Sequence, residues 1–568
     1  MIKNIKQFKN KFYFLISNKD KKDIRFVLIL GFIVGLFELI GLTLLVLMIQ
    51  VFTNDSIRES NSLLRYVFDS LSNSNTSAFI LIITSTVFVF YVVKLFVSLI
   101  NARYMAKLAS NLYIDVSKKL FENYMNYYYR DFAKRNTAEI NQILVVESDN
   151  LSLMISNIIY IIIHTVIIGL LYGYMFYVDW MLTISVSVMF AFIIYLYKKL
   201  LKRKLVIMGE ERIEAVTDYM KFIKSTFSNF KFIKGLDGEY IEKNLTSITN
   251  HYKKARVDML FWAELPRLIL EFIIIAMMII IFMFIKLKYE DNGELLVVVS
   301  AYALALFRML PSLSKILQGA NIVNMYKKTL DMVHTEINYK IEQKSIGDPI
   351  VFNDLIQLKD VTFAYPESDK KSLSGIDIDI KNGDKVAIIG ESGSGKSTLM
   401  DILIGLHLPN SGKFIIDGIE INENNVINWR QSTSFVPQKV VLFESDVKEN
   451  VTFGKEYNEQ LFKEVLEDAF VYDVVMAKGG MEAKVGDEIS GFSGGQMQRL
   501  AFARSLYQER EILFLDEATS SLHEEIEEKI LDRLLEKYKN KTIIAIIHKE
   551  HLAAKFDKII KVEDGKIA

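Results

Sequence analysis

Gly390-Glu391-Ser392-Gly393-Ser394-Gly395-Lys396-Ser397-Thr398 lies between an apolar run at 385–389 and a second one at 399–406. A strand that ends in a glycine-rich turn and then opens a helix is a phosphate-binding loop. Its glycines let consecutive backbone N–H groups turn toward an anion, and the helix N-terminus adds partial positive charge. Lys396 supplies a mobile cation for the β- and γ-phosphates, Ser397 a hydroxyl for Mg²⁺, and Gly390, Ser392, Gly393, Ser394, Gly395 and Thr398 the rest of the cradle. The chain therefore reads as a nucleoside triphosphate binder.

Further along, Phe492-Ser493-Gly494-Gly495-Gln496 precedes Ile512-Leu513-Phe514-Leu515-Asp516-Glu517. Asp516 ends a second apolar strand, where a carboxylate can hold Mg²⁺, and Glu517 follows it, placed to polarise an attacking water. His548 ends a third apolar strand, 542–547, where a neutral imidazole can reach the γ-phosphate and the base. Tyr365, in Val361-Thr362-Phe363-Ala364-Tyr365-Pro366, offers a ring to stack on adenine, and Gln438, in Val436-Pro437-Gln438, reaches both metal and water. Ser493, Gly494, Gly495 and Gln496 open a helix near Met497, a second N-terminus suited to phosphate. Glu517, His548 and Gln438 are thus the expected catalytic groups, with Ser397, Gln438 and Asp516 the expected metal holders.

The 568 residues are 51% hydrophobic, and the apolar ones crowd into the first part of the chain. Runs at 26–51, 77–100, 152–177, 180–197, 267–287 and 295–319 each approach the ~20 residues a helix needs to cross a bilayer. Six spans put both termini on one side. Lys3, Lys6, Lys9, Lys11, Lys19, Lys21, Lys22 and Arg25 precede the first span, and 101–151 and 198–266 are also basic-rich, which predicts that both termini are cytoplasmic. The first run is too long for a cleaved signal peptide. Net charge is zero, from 68 basic and 68 acidic residues, so no nucleic-acid partner is expected. Cysteine is absent, which excludes disulfides and thiolate metal sites.

The texture changes near Tyr339, after which Gly347 and Pro349 interrupt a polar stretch. This predicts an α-helical transmembrane domain over 1–335, a linker over 336–355 and an α/β P-loop nucleotide-binding domain over 356–568, with near-continuous apolar strands buried on both faces of a mainly parallel sheet. The segments 101–151 and 198–266 are amphipathic, so the membrane helices are expected to run well into the cytoplasm and turn there, with Gly235-Leu236-Asp237-Gly238 one candidate bend.

In order and spacing these motifs resemble the ATP-binding cassette family, and the six preceding spans make the whole chain similar to an exporter half-transporter. The resemblance implies ATP and Mg²⁺ as cofactors and a head-to-tail dimer, each ATP lying between Lys396 of one chain and the Ser493 turn of the other; Glu517 and His548, both present, favour a homodimer over a heterodimer. It also implies coupling helices near 127–132 and 226–233. Two positions depart from the family pattern: Phe492 stands where leucine is usual, and His523 where an aspartate usually links the two ATP sites. A soluble cassette ATPase doing non-transport work is the rival reading, and the six spans oppose it.

Ionisable groups inside apolar spans are rare because each costs about 2.5–3.5 kcal/mol at the bilayer centre. Here they are Glu38, Lys94, His164, Glu271, Arg308 and Lys315, with Arg267 at a cytoplasmic edge. Cations lining a cavity suit an anionic head group. His164 also fits a helix–helix hydrogen bond, Lys94 can snorkel, and Glu38 and Glu271 can serve as partners of the cations. Leu36-Phe37-Glu38, Pro266-Arg267-Leu268-Ile269-Leu270-Glu271 and Leu306-Phe307-Arg308-Met309-Leu310-Pro311-Ser312 resemble the matching segments of PglK-type flippases. That resemblance implies a polyprenyl-diphosphate oligosaccharide as substrate, moved across a bacterial inner membrane, with Lys94, Arg267 and Arg308 facing the diphosphate. It also implies a short outer helix, for which Leu64, Val67, Phe68 and Leu71 give an apolar stripe that fits a membrane surface or packing on neighbouring spans. Exporters of peptides, lipid A or drugs, and a membrane ATPase that signals rather than transports, are the alternatives.

Overall fold

The computed structural model describes residues 11, 16–53, 76–235, 239–288, 292–342, 347–365, 370–485, 491–518 and 523–568. At 52–53, 76–79, 189–206, 263, 266, 284–288 and 292–296 the backbone alone is described. The outer-loop stripe at Leu64 to Leu71 therefore lies outside the described residues, as do three of the four residues of the candidate bend.

The chain divides into two compact units, Met1–Met125 with Arg135–Tyr339, and Asn126–Lys134 with Lys340–Ala568. In the first, six long helices follow one another: α1 (Asn18–Thr53), α2 (Thr76–Met125), α3 (Ser148–Val178), α4 (Trp180–Ser228), α5 (Glu239–Lys288) and α6 (Asn292–Met325). Five of them, all but α4, are long and apolar enough among the described residues to cross a membrane. The fourth expected span, 180–197, falls on α4, much of it where side chains are not described. Apolar side chains stay outside on these helices, as Phe88, Phe96 and Leu99 on α2 show, because lipid solvates them as well as protein does.

α3 and α4 meet at a single residue. Asp179 adopts an extended conformation, φ −156°, that breaks the helix, and its Oδ1 accepts from the Met181 and Leu182 amides at 3.0 and 3.2 Å, capping α4. Tyr302 of α6 locks this corner by donating its hydroxyl to the Asp179 carbonyl at 2.6 Å.

Below the spans, a π-helical turn at Gln142–Glu147 leads into α3. Such turns reposition side chains within a helix. Here the turn buries Glu147 completely, and Gln142, whose Nε2 donates to Oε1 at 3.5 Å, is the first of four groups that converge on its carboxylate. Arg212 of α4 donates to both oxygens at 3.2 and 2.9 Å, Thr329 of helix Lys327–Ile337 at 2.6 Å, and Asn150 at 3.3 Å. Three chain segments distant in sequence are thus joined at one buried charge.

The second unit is α/β. A six-stranded sheet has the order β12-β11-β3-β10-β9-β6, with β3 Lys385–Ile389, β6 Thr433–Val436, β9 Ile512–Asp516, β10 Thr542–Ile546 and β11 Lys558–Glu563 parallel, and β12 Lys566–Ile567 antiparallel at the edge. β3, β9 and β10 are almost wholly buried, as their uninterrupted apolar runs require. An antiparallel sheet, β2-β1-β4-β5, is built from β1 Leu355–Phe363, β2 Leu373–Lys381, β4 Ser411–Ile416 and β5 Ile419–Glu420; a two-stranded pair, β7 Ser445–Asp446 and β8 Lys484–Val485, completes the strands. The short segment at Asn126–Lys134 belongs to this unit: Glu342 N–H donates to Asn126 O at 2.7 Å, and Tyr127 bridges to Ile341.

Candidate functional site

β3 ends at Ile389, and the loop that follows returns the chain into helix Lys396–Ile404. Gly390, Gly393 and Gly395 hold φ of +149°, +80° and +110°, conformations that side chains rarely adopt. At Gly395 a Cβ would also lie 2.7 Å from the Ser372 carbonyl oxygen, so the loop has no room for one. Lys396 Nζ donates to the Gly390 and Glu391 carbonyls at 2.9 and 2.7 Å, which folds the ammonium back over the loop. The loop lines a cavity of about 360 Å³ together with Gln438, Glu517 and His548.

Parallel pairing of β3, β10 and β9 brings Lys396, Glu517 and His548 together, since each follows the C-terminal end of a neighbouring strand. Glu517 sits at φ +47°, a left-handed conformation costing a non-glycine residue about 1 kcal/mol or more. Its carboxylate is gripped from both sides. His548 Nε2 lies 2.6 Å from Oε1, and the Gln438 amide donates to Oε2 at 2.5 Å. A carboxylate fixed in this way can orient a water and accept its proton.

Asp516 ends β9 with one carboxylate oxygen, Oδ1, buried and without a hydrogen-bond partner. Burial, then the charge of Glu517, pushes this carboxyl above its usual range. A buried, unpartnered carboxylate oxygen beside a phosphate loop is what a hard divalent cation would satisfy, so the residues present fit Mg²⁺. Buried Ser394 Oγ is likewise without a partner.

Two expected nucleotide groups lie elsewhere. The Tyr365 hydroxyl is 3.2 Å from Thr398 Oγ1, and its ring stands edge-on to Phe363 and His407 with centroids at 5.1 and 5.5 Å, outside the lining of the phosphate cavity. Ser493 and Gln496 form a reciprocal capping box at the start of helix Gly494–Tyr507, and neither lines the cavity. Conversely, Lys370, Lys371, Asp564 and Gly565 line it without having been anticipated. Their signals were present: a basic pair just before β2, and an Asp-Gly pair between two short strands.

Beside the loop helix, His407 Nε2 approaches Asp401 Oδ2 at 3.9 Å. This is no ion pair at neutral pH. Burial pulls the imidazole down to about 4, and burial with the Asp516 charge pushes the Asp401 carboxyl up to about 7. Asp401 thus holds a proton more tightly folded than unfolded, where a carboxyl titrates near 3.9. Its contribution to stability is complete below about pH 4 and is lost as pH rises through about 7. Asp401→Asn is therefore expected to raise the melting temperature more at pH 8 than at pH 5, as read by thermal unfolding in detergent; an equal shift at both would refute the assignment.

In the helical unit, Glu38 of α1 collects two cations. Lys94 Nζ of α2 lies 2.7 Å from Oε1, and Arg308 of α6 lies 3.6 Å from Oε2. Tyr91 completes the cluster, accepting from Arg308 at 3.1 Å while its ring faces Lys94 at 5.3 Å and Arg308 at 5.4 Å. His164 makes the expected interhelical hydrogen bond, to Ser312 at 3.0 Å, and Lys315 lies over the Tyr160 ring at 5.7 Å. Arg267 does not join them. It is exposed and pairs with Glu264 one turn earlier at 3.2 Å, because an i,i+3 carboxylate on its own helix face is nearer than any other.

A phosphate loop, a water-orienting carboxylate and an apolar helical unit on one chain define an ATP-driven membrane exporter. Residues 373–520 match the ABC transporter family, and residues 24–310 match the ABC transporter transmembrane region. The chain belongs to the ABC transporter family, whose cassette binds ATP and couples its hydrolysis to transport. An ATP-dependent lipid A-core flippase of Ralstonia nicotianae is 27% identical over 478 residues, covering 82% of this chain and 80% of the relative. A protein of the same description from Vibrio vulnificus is 26% identical over 527 residues, covering 89% and 88%. The structure of a bacterial Atm1-family ABC exporter with ATP bound superposes with a TM-score of 0.80 at 18% identity, covering 97% of this chain and 95% of that one, a likeness of fold.

Proposed function

We propose that this chain is half of a homodimeric flippase of the bacterial inner membrane, with both termini cytoplasmic, which moves a glycan-bearing lipid with a phosphate or diphosphate head group. The observation that carries the substrate class is the unequal charge around Glu38: two cations, Lys94 and Arg308, share one carboxylate within the apolar spans. One positive charge is left over, and Lys315 adds another. An anionic head group would balance them, and Arg308 can grip phosphate oxygens through two N–H groups. Arg267 is set aside from this cluster by its exposed pairing with Glu264.

At the nucleotide site, Lys396 and the loop amides bind the triphosphate, Glu517 orients the attacking water and takes its proton, and His548 and Gln438 hold Glu517. Ser397, Gln438 and Asp516 hold Mg²⁺, which when bound neutralises phosphate charge. Tyr365 turns its exposed face to adenine. The Ser493 turn of each protomer serves the other protomer's ATP, which accounts for its place outside the cavity of its own chain. The coupling segments near 127–132 and 226–233, the second overlapping helix Phe230–Lys234, carry closure of the cassettes to the spans.

Two glycolipids have the required chemistry. The segments around Glu38, Arg267 and Arg308 resemble PglK-type flippases and favour a polyprenyl-diphosphate oligosaccharide. The relatives named as lipid A-core flippases, matched over 80% and 88% of their own length, favour lipid A-core. Proteoliposomes carrying either lipid, fluorescently labelled, test both. Native protein is expected to translocate one of them with ATP, and Arg308→Ala to lose translocation while retaining basal ATPase activity. Hydrolysis of ATP with movement of neither lipid would remove the substrate class and leave ATP-driven export standing.

A further inference from the structure

β11 and β12 are joined by two residues, with Glu563 paired to Lys566. Asp564 at φ +46° and Gly565 at φ +76° give the doubly left-handed turn for which Asp-Gly is a preferred pair. This turn is packed into the nucleotide site. The Gly565 amide donates to the Ser394 carbonyl of the phosphate loop at 2.9 Å, and the Gly565 carbonyl accepts from the Ser374 amide at 2.8 Å. A Cβ on Gly565 would lie 2.7 Å from the Ser372 carbonyl oxygen, the same atom that crowds Gly395. The strand before the turn closes the other flank: the Val562 carbonyl oxygen would stand 2.2 Å from a Cβ on Gly390. Asp564 and Gly565 also line the cavity.

We propose that the Asp564-Gly565 turn is a positioning element of the ATP site, with Gly565 holding the phosphate loop through the Ser394 carbonyl. A backbone amide that binds phosphate must be held facing it, because the energy of such a donor lies in its being preorganised. The peptide unit that carries the Ser394 carbonyl also carries the Gly395 N–H on its opposite side, since the unit is planar and trans. Fixing the carbonyl outward against Gly565 therefore aims the Gly395 N–H the other way. Ground-state binding of ATP draws on this orientation, whereas the water-orienting groups Glu517, His548 and Gln438 belong to other loops. The turn is thus expected to govern affinity and leave the chemical step alone. This inference rests on the ATP-binding reading of the loop.

The same domain contains a matched control. Asp417-Gly418 joins β4 to β5 by a two-residue turn with φ of +46° and +80°, Ile416 pairs with Ile419, and a Cβ on Gly418 would meet nothing within 4 Å. Gly565→Ala and Gly418→Ala impose the same backbone strain, and only the first presses on the wall that supports the phosphate loop. In the full-length protein, Gly565→Ala is expected to raise KM for ATP about fivefold or more with kcat within about twofold of native, and Gly418→Ala to leave both unchanged. Equilibrium binding of a fluorescent ATP analogue should weaken in parallel. If Gly565→Ala does not accumulate, Gly565→Asn tolerates the left-handed turn, keeps the added Cβ and is expected to show the same rise in KM. A native KM in either variant, an equal rise in Gly418→Ala, or a loss confined to kcat would overturn the proposal. Failure of the native chain itself to bind the analogue would instead refute the ATP reading on which it rests.

Discussion

Replacing Glu517 by glutamine is expected to lower ATP turnover by about 10²- to 10³-fold while ATP still binds, because the substitution removes a proton acceptor and keeps the shape. Gln438 and His548 both grip the native carboxylate, so the amide side chain inherits a formed pocket and not a collapsed one. The left-handed backbone at Glu517 is unaffected by the change. The check is steady-state ATPase activity beside equilibrium binding of a fluorescent ATP analogue to the same preparation. Turnover within tenfold of native would mean that another group accepts the proton.

The second large effect lies far from the nucleotide. Glu147 is fully buried with Arg212 and Thr329 bonded to it, so Glu147→Leu leaves the guanidinium buried without its counter-charge. Removing one partner of such a pair costs about 3–5 kcal/mol. The single variant should therefore unfold at markedly lower temperature in detergent, and the double variant Glu147→Leu, Arg212→Met should recover most of the loss, since two apolar side chains of similar size avoid the desolvation of both charges. Equal melting temperatures for native and Glu147→Leu would show that water or another group satisfies Arg212.

The cassette was the more legible half of the chain. Gly390 to Thr398, Asp516, Glu517 and His548 announce themselves because each stands at the end of an apolar run, and a parallel sheet gathers such ends on one edge. Asp564 and Gly565 escaped notice because a hairpin turn reads only as a turn until β11 is placed beside β3. The Tyr365 ring is conspicuous in sequence but its packing is not, since its contact with His407 joins segments that no local pattern connects. In the spans, Lys94 and Arg308 were recognisable as costly charges, while their common partner Glu38 was visible only as one possibility among two. Helical periodicity gives a face and not a neighbour on another helix, whereas the Arg267–Glu264 pair, i,i+3 on one helix, could be read from spacing alone. The Glu147 cluster was invisible in sequence. Two of its donors, Arg212 and Thr329, come from stretches far from Glu147 in sequence, and a π-helical turn shifts the register on which a face is counted.

The single-residue corner at Asp179 has a mechanical side. With its carboxylate capping α4 and Tyr302 bonded to its carbonyl, the junction of α3 and α4 is a stiff pivot. α4 extends 49 residues from that pivot, which at 1.5 Å per residue makes an arm of about 70 Å. A rotation of about 5° at the fulcrum then sweeps the far end through about 6 Å, a displacement comparable to one helical turn. A small change of angle at Asp179 is therefore read out at the far end of α4 as a displacement large enough to make or break a contact.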